Sequence, residues 1–123
     1  MSPGYASLPL ILLLGACGPL PDERHHMPMA DAAEGRQIIE RAGCGACHQI
    51  PGVAWPEGRL GPSLAGFADQ GLIAGRLPNR PDMLAAFVRD APALVPGTAM
   101  PAMPLSEGES RDVAAYLYTL ELR

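Results

Sequence analysis

The residues best suited to chemistry in this chain form the stretch Cys44-Gly45-Ala46-Cys47-His48. Two thiols with two residues between them can add across the two vinyl groups of one haem, and the histidine that follows can reach the iron as its proximal ligand. A structural zinc site would need a second Cys or His pair downstream, and a thioredoxin-like dithiol pair would need a surrounding βαβ pattern. The sequence has neither, so the stretch predicts covalent attachment of one haem c.

Composition narrows the class of protein to one small domain with an acidic balance. The chain has 123 residues and a formal net charge of −4, and its nine basic residues are all arginine. Because these arginines form no basic stripe, we expect no nucleic-acid partner. Aromatic residues make up only 5% of the chain, and a small domain with so thin a core usually needs a cofactor, a metal or a cross-link. A buried porphyrin would supply the missing apolar volume.

The N-terminal sequence is typical of an exported protein. Residues 8–14 form an apolar run that is too short to span a bilayer but suits a signal peptide. The run leads into Leu14-Gly15-Ala16-Cys17, which resembles a bacterial lipobox. We therefore predict that residues 1–16 are a signal peptide and that Cys17 becomes the lipid-modified first residue. The alternative is ordinary signal cleavage near Ala16, which would leave Cys17 as a free thiol.

This N-terminus also predicts a location. A diacylglycerol together with an amide-linked acyl chain holds a protein stably at a membrane. We therefore expect the protein on the periplasmic side of a bacterial membrane, or soluble in the periplasm if Cys17 carries no lipid.

Residues 17–30 are predicted to be a solvated tether. They contain three prolines among charged residues and show no apolar periodicity. The adjacent His25 and His26 could bind a metal, but neighbouring residues on a tether rarely do so.

The remaining residues, 31–123, carry three helical patterns and no alternating strand pattern. Asp31 and Ser106, each followed three residues later by Glu, predict two helix N-termini, and Pro81 predicts a third. Residues 63–69 could add one or two helical turns, whereas residues 91–106 are predicted to be an uncharged loop. The apolar stripes are Gly35, Ile38, Ile39 and Ala42; Leu84, Phe87, Val88 and Ala91; and Val113, Tyr116, Leu117 and Leu120. We predict an all-α domain of three to five helices packed around the haem.

The first and last of these helices are expected to cross. Gly35 has no side chain, so another helix can approach it closely. We predict that Gly35 and Ile39 lie against Val113, Tyr116 and Leu117.

Taken together, these features resemble the class I cytochromes c and imply the small cytochrome c fold. The resemblance covers about residues 31–122. It rests on a helix that ends at the haem motif, then Gly61-Pro62, then Pro96-Gly97-Thr98-Ala99-Met100, and a final helix containing Ala115-Tyr116-Leu117.

A narrower likeness is to the cytochrome c domain fused to subunit II of some bacterial haem–copper oxidases. It rests on Ile73-Ala74-Gly75-Arg76-Leu77-Pro78-Asn79 and on Val95-Pro96-Gly97. The copper-binding domain that precedes the cytochrome there is not expected here, and Phe87 stands where that family usually has Trp.

The resemblance implies that His48 and Met100 are the two axial ligands of the iron. Met103 competes with Met100, because each is followed by proline. Met100 follows the Pro96-Gly97-Thr98 turn at the family's distal position, so we assign the ligand to Met100 and interpret Met103 as a packing residue.

The resemblance also implies a support for the proximal histidine. The carbonyl of Pro62 should accept a hydrogen bond from Nδ1–H of His48, and Gly61 should let this backbone come close to the ring. Asn79, Arg59, Arg76 and Trp55 are candidates for contacts with the haem propionates or edge. For each of these four, the alternative is a helix cap, a surface charge or a loop anchor.

With both axial positions filled by protein, the iron offers no open site to a substrate. The expected function is then electron transfer rather than catalysis, by a membrane-tethered monohaem carrier that serves a terminal oxidase or a dehydrogenase. The uncharged loop 91–106 is expected to border the haem edge and to dock this partner. Two alternatives stay open: a haem enzyme or gas sensor with a labile distal methionine, and a haem-free dithiol redox lipoprotein.

Overall fold

The structure, a computed structural model, describes residue 1 and residues 23–122. In this part of the chain there are four α-helices: α1 (Ala32–Ala42), α2 (Pro81–Arg89), α3 (Ala91–Leu94) and α4 (Glu107–Leu117). Three 3-10 turns cover Glu23–His25, Cys44–Ala46 and Phe67–Asp69, and one antiparallel hairpin pairs β1 (Leu72–Ile73) with β2 (Leu77–Pro78). The predicted helical class is confirmed. The small hairpin was not predicted, because strands of only two residues show no alternating pattern in the sequence.

Helix α1 begins and ends where its capping residues require. The carboxylate of Asp31 accepts hydrogen bonds from the backbone N–H groups of Ala33 and Glu34, at 2.8 and 3.1 Å. The helix ends at Gly43, which has a left-handed conformation (φ 76°) that glycine adopts without steric cost. The haem motif therefore starts at a defined point, at Cys44 directly after the capping Gly43.

Helix α4 crosses α1 at the predicted glycine. A Cβ atom at Gly35 would overlap the backbone carbonyl of Asp112, so no larger residue fits between the two helices. Ile38 and Ile39 of α1 are buried, as are Val113 and Leu117 of α4. The crossing was predicted, and the amide nitrogen of Val113 lies 3.0 Å from a Cβ at Gly35, but the nearest backbone belongs to Asp112.

Tyr116 was also predicted to pack at this crossing, but its hydroxyl bonds to a residue outside α1. Its hydroxyl donates a hydrogen bond to the carbonyl of Pro51, at 2.5 Å. A long side chain on the face of α4 next to the buried stripe reaches past α1 to the segment after the haem motif. Tyr116 therefore links α4 to that segment.

The predicted loop 91–106 begins with a helical turn. Asp90 ends α2 and caps α3, and its carboxylate accepts a hydrogen bond from the N–H of Ala93 at 3.2 Å. Pro92 lies in the first turn of α3, where its missing N–H has no helical partner to lose. Residues 95–106 then run without regular structure to the Ser106–Glu109 capping box of α4.

The inner part of the predicted tether packs against the domain, contrary to the expectation for residues 17–30. The ring of His25 stacks on Tyr118 with centroids 4.0 Å apart, and Met27 is only 9% exposed. An apolar thioether and an aromatic face remove more surface from water when they pack than when they stay extended. Residues 2–22, including Ala16 and Cys17 of the predicted signal and lipidation site, lie outside the described residues.

None of the described helices is long and apolar enough to cross a bilayer.

Candidate functional site

The two cysteines of the haem motif lie in one tight turn. The backbone N–H groups of Cys47 and His48 both donate to the carbonyl of Cys44, at 3.2 and 3.1 Å. Both thiols are free and half-buried. The structure therefore brings together the three reactive side chains that the sequence singled out.

The electrostatics of Cys44 do not favour dithiol redox chemistry. Burial raises the pKa of the Cys44 thiol, a backbone hydrogen bond lowers it, and nearby Cys47 raises it further, with a net upward shift. Catalytic dithiol pairs need a thiolate stabilised by a lowered pKa. The raised pKa of Cys44 therefore argues against a catalytic dithiol pair at this site.

The imidazole of His48 is oriented by one backbone acceptor. Its Nδ1 lies 2.7 Å from the carbonyl oxygen of Pro62. A carbonyl can only accept, so Nδ1 carries a proton, and in the neutral ring this leaves the lone pair on Nε2. The expected hydrogen bond is present, and it leaves the nitrogen at the far side of the ring available to a metal.

Gly61 lies directly against this ring. A Cβ atom there would come within 2.7 Å of Nδ1 of His48 and closer still to Cε1. Such distances are well inside van der Waals contact, so Gly61 is needed for the backbone to reach the imidazole. The close approach predicted from the sequence is present.

Two further glycines serve the same site, although no sequence pattern predicts this role for them. A Cβ at Gly45 would lie 2.5 Å from the carbonyl oxygen of Pro56. A Cβ at Gly58 would lie 2.5 Å from the amide nitrogen of Cys47 and closer to Ala46. Nothing in the sequence distinguishes Gly58 from other glycines in a loop rich in Gly and Pro.

These glycines let the loop 56–64 join the haem motif through its backbone. Gly58 donates to the carbonyl of Gly45 at 2.7 Å, and Gly61 donates to that of Cys47 at 2.8 Å. A third bond, from Leu64 to Gln49, measures 2.9 Å. The loop is thus a second layer behind the motif and fixes the backbone on which His48 sits.

Helices α1 and α4 hold the turn that follows His48. The Tyr116 hydroxyl bonds to the Pro51 carbonyl, and Nη1 of Arg36 donates to the carbonyl of Gly52 at 3.3 Å. Burial raises the pKa of Tyr116, Arg36 lowers it and the carboxylate of Glu40 raises it, with a net upward shift. Tyr116 therefore stays a protonated donor at neutral pH.

The two candidate distal methionines are both half-buried, so exposure does not decide between them. The N–H of Met100 donates to Oγ1 of Thr98 at 3.3 Å, and its side chain packs against the hydrophobic core. The N–H of Met103 donates to the carbonyl of Arg89 at 2.9 Å, which ties Met103 to the end of α2. The assignment of the ligand to Met100 stays a prediction.

Of the four candidates for haem contacts, Asn79 has a structural partner for each end of its amide. Its Nδ2 donates to the carbonyls of Phe67 and Gln70, at 3.3 and 2.9 Å, and its Oδ1 accepts from the Tyr118 hydroxyl at 2.9 Å. Asn79 is therefore a loop anchor, which was the alternative named for it. Arg59, Arg76 and Trp55 are exposed.

Within residues 23–122 no three His, Cys, Asp or Glu side chains come close enough to hold a metal ion together. The donors that do meet are the two free cysteines and the imidazole of His48, whose Nδ1 bonds to Pro62 and leaves Nε2 for a metal. This donor set fits two thioether bonds and one axial ligand.

Comparison with known proteins decides the family. Residues 30–117 match the family described as cytochrome C oxidase, cbb3-type, subunit III. The chain belongs to this cytochrome c family. It is accordingly an electron-transfer haem protein with covalently bound haem c, a cofactor that the free cysteine pair fits.

One curated relative shares this cytochrome c domain. The cytochrome c oxidase subunit 2 of Alkalihalophilus pseudofirmus is 36% identical over 92 residues, which cover 74% of this chain. The match covers 26% of the relative, so the chain spans about a quarter of its length.

One solved structure supports the fold of this cytochrome c. The crystal structure of SoxXA from P. pantotrophus superposes with a TM-score of 0.59 at 27% identity, covering 76% of this chain and 83% of that one. Cytochrome c2 from Rhodospirillum centenum gives a TM-score of 0.48 at 23% identity, covering 76% of this chain and all (100%) of that one. The resemblance stated from the sequence is confirmed.

Proposed function

We propose that this cytochrome c is a monohaem electron carrier, tethered by a lipid on Cys17 to the periplasmic side of a bacterial membrane. Cys44 and Cys47 would hold the haem through thioether bonds, and His48 and Met100 would ligate its iron. Its partner is a respiratory redox protein such as a terminal oxidase or a dehydrogenase. It is a carrier and not an enzyme.

The observation that carries this proposal is the restraint on His48. The 2.7 Å hydrogen bond to Pro62 sets the tautomer, and Gly61 lies against the ring so closely that the imidazole has little room to turn. A bound haem would supply a one-electron iron couple. A proximal ligand that keeps its position in both oxidation states lowers the reorganisation that accompanies electron transfer, and hydrogen bonding at Nδ1 makes the imidazole a stronger donor.

The distal side supports a carrier for a related reason. A thioether is a soft, neutral ligand that stabilises ferrous over ferric iron and so raises the reduction potential. With His48 and Met100 both bound, small molecules have no open position on the iron. This argues against peroxidase and gas-sensing chemistry as the main task.

The anchor and the partner rest on separate support. The lipobox-like residues ending at Cys17 support the lipid, and with it the periplasmic location. The relative that is 36% identical is named as a cytochrome c oxidase subunit, which supports a terminal oxidase as the electron acceptor. The protonated Cys44 disfavours the haem-free dithiol alternative.

Optical spectroscopy of Met100→Ala and Met103→Ala tests the ligand assignment. Loss of the far-red sulphur-to-iron charge-transfer band in only the first variant is the expected result. Loss in only the second would transfer the ligand role to Met103 and contradict the assignment.

Four measurements test the rest of the proposal. Rapid and complete binding of carbon monoxide to the reduced native protein would favour the gas sensor or enzyme. A colourless but folded product from a host competent in haem attachment would favour the dithiol lipoprotein. Mass spectrometry should find a lipid on Cys17, and Cys17→Ala should release the protein from membranes.

A further inference from the structure

The end of α2 starts the segment that carries Met100. The backbone N–H of Asp90 donates to Ala86 as the last hydrogen bond of α2, at 3.0 Å. The carboxylate of the same residue caps α3 by accepting from Ala93 at 3.2 Å. A single residue therefore ends one helix and begins the next.

The same end of α2 also receives the segment when it returns. The N–H of Met103 donates to the carbonyl of Arg89 at 2.9 Å, and Ala102 pairs with Asp90 as an isolated antiparallel bridge. Residues 91–101 are thus a loop closed at its base by Arg89 and Asp90.

Inside this loop a relay of hydrogen bonds runs from α3 to Met100. The N–H of Val95 donates to the carbonyl of Ala91 at 2.8 Å, and the N–H of Thr98 donates to that of Val95 at 3.1 Å. The last link is the 3.3 Å bond from the Met100 N–H to the hydroxyl of Thr98. Ala91 is fully buried and Val95 is 6% exposed, so the core anchors the first half of the relay.

We propose that Asp90 is a positioning residue for the distal methionine: by capping α3 it holds the relay that ends at Met100 and so opposes dissociation of that side chain from the iron. This inference rests on the proposed function, in which Met100 is the distal ligand. Asp90 acts through the backbone, because its carboxylate accepts the hydrogen bond that caps α3.

The physical reason is that α3 has a single turn and little stability of its own. A helix this short forms only when its ends are satisfied and its residues are packed. Without the cap, the Ala93 N–H loses its acceptor and the turn between Ala91 and Val95 is less stable. Burial still holds Ala91 and Val95, but the later links to Thr98 and Met100 start from a less ordered turn. Met100 would then reach its bound position from a larger set of conformations, at a greater entropic cost.

Imidazole titration of the ferric holoprotein, followed by the shift of the Soret band, measures this effect. Imidazole competes with Met100, so its apparent affinity scales with the fraction of protein whose methionine is dissociated. Asp90→Ala should raise that affinity about fivefold, the factor expected from loss of one N-cap.

Two matched variants separate positioning from general destabilisation. Asp90→Asn removes the charge but keeps the capping oxygen, so it should bind imidazole as the native protein does. Asp31→Ala removes a similar cap from α1, remote from this loop, and should destabilise the fold while leaving imidazole affinity unchanged. Thr98→Val cuts the relay at its last link and should raise the affinity as Asp90→Ala does.

The inference is rejected if Asp90→Ala binds imidazole no more tightly than the native protein, or if Asp31→Ala raises the affinity equally. It is also rejected if Asp90→Asn behaves like Asp90→Ala, since charge and not capping would then be responsible. Should Asp90→Ala yield too little holoprotein, native-like affinity of Thr98→Val rejects it as well.

Met100→Ala distinguishes a wrong role for Asp90 from a wrong assignment of Met100 as the distal ligand. If that variant binds imidazole no more tightly than the native protein, Met100 is not the ligand and the functional assignment fails. If Met100→Ala binds much more tightly while Asp90→Ala does not, the assignment stands and only the role of Asp90 is wrong.

Discussion

Among single residues, three glycines set the geometry of the proximal side of the site, because they have no Cβ atom. Gly45, Gly58 and Gly61 each stand where a Cβ would press on the backbone or on the ring of His48. The chemistry of the motif is carried by its cysteines and histidine, but their geometry is set by these glycines. Substitutions of glycine therefore test the site without touching a ligand.

Gly61→Ala should displace the His48 ring and weaken its hydrogen bond to Pro62. We expect a loss of about 1–3 kcal/mol in the free energy of unfolding, as for other overpacked sites, together with a changed reduction potential. Gly71→Ala is the matched control, because nothing lies within 4 Å of a Cβ there and its φ is not positive. Equal stability and potential in both variants would contradict the tight fit at Gly61.

Ionisation of Tyr118 should destabilise the folded protein at alkaline pH. Burial raises the pKa of its phenol above the usual value, and the carboxylate of Asp82 raises it further. The unfolded phenol titrates near pH 10, so above about pH 10 the folded state binds more protons than the unfolded state. Its contribution to stability is therefore complete below about pH 10 and is lost as pH rises toward the folded pKa.

Denaturant unfolding of the native protein and Tyr118→Phe between pH 8 and pH 12 checks this expectation. The variant should lose less stability over the alkaline range, with the remaining loss due in part to Tyr116, whose pKa is also raised. Parallel pH profiles would show that Tyr118 does not contribute.

At the scale of elements, the crossing of α1 and α4 aligns the start of the site. Helix α1 and its cap Gly43 lead directly into Cys44. Helix α4 holds the turn after His48 through the hydrogen bond from Tyr116 to Pro51. The angle and distance of the crossing are set at Gly35, where the two backbones meet.

Gly35→Ala should therefore be costly, although alanine is the better helix former. The new Cβ would meet backbone at Asp112, which cannot rotate away, so we expect a loss of about 3 kcal/mol or more. Gly108→Ala in α4 is the control: its Cβ would lie 4.0 Å from the Ser106 hydroxyl, and the change should stabilise by about 0.5–1 kcal/mol. Similar free energies of unfolding for the two variants would show that the helices can separate at little cost.

At the scale of the whole molecule, the segment before α1 belongs to the domain. Met27 is buried in the core and His25 stacks on Tyr118, so a membrane anchor at Cys17 would act through a shorter free tether than residues 17–30. A shorter tether holds a carrier nearer the membrane surface and limits the partners that it can reach.

Met27→Ala should lower the free energy of unfolding by about 2–5 kcal/mol, as expected for truncating a buried methionine. Met29→Ala, two residues away at a fully exposed position, should leave stability unchanged. If chemical denaturation finds the two variants alike, the segment does not pack as described.

The same segment shows where sequence reasoning reached its limit. Prolines and charges in residues 17–30 predicted a solvated tether, and local composition carries no information about an aromatic face supplied by Tyr118, more than 90 residues later (His25 to Tyr118). The role of Asn79 was hidden for the same reason, because its partners Phe67, Gln70 and Tyr118 meet only in the folded chain.

The cofactor chemistry, the helical class and the glycine at which α1 and α4 cross could all be predicted from the order of the residues. These follow from covalent spacing, helical periodicity and capping, which act over a few residues. Three features became visible only in the folded chain. Gly45 and Gly58 let the loop 56–64 pack behind the haem motif, Tyr116 holds the turn after His48, and the end of α2 contacts both ends of the loop that carries Met100. Such contacts join residues far apart in the chain, and their geometry exists only after packing has brought the backbones together.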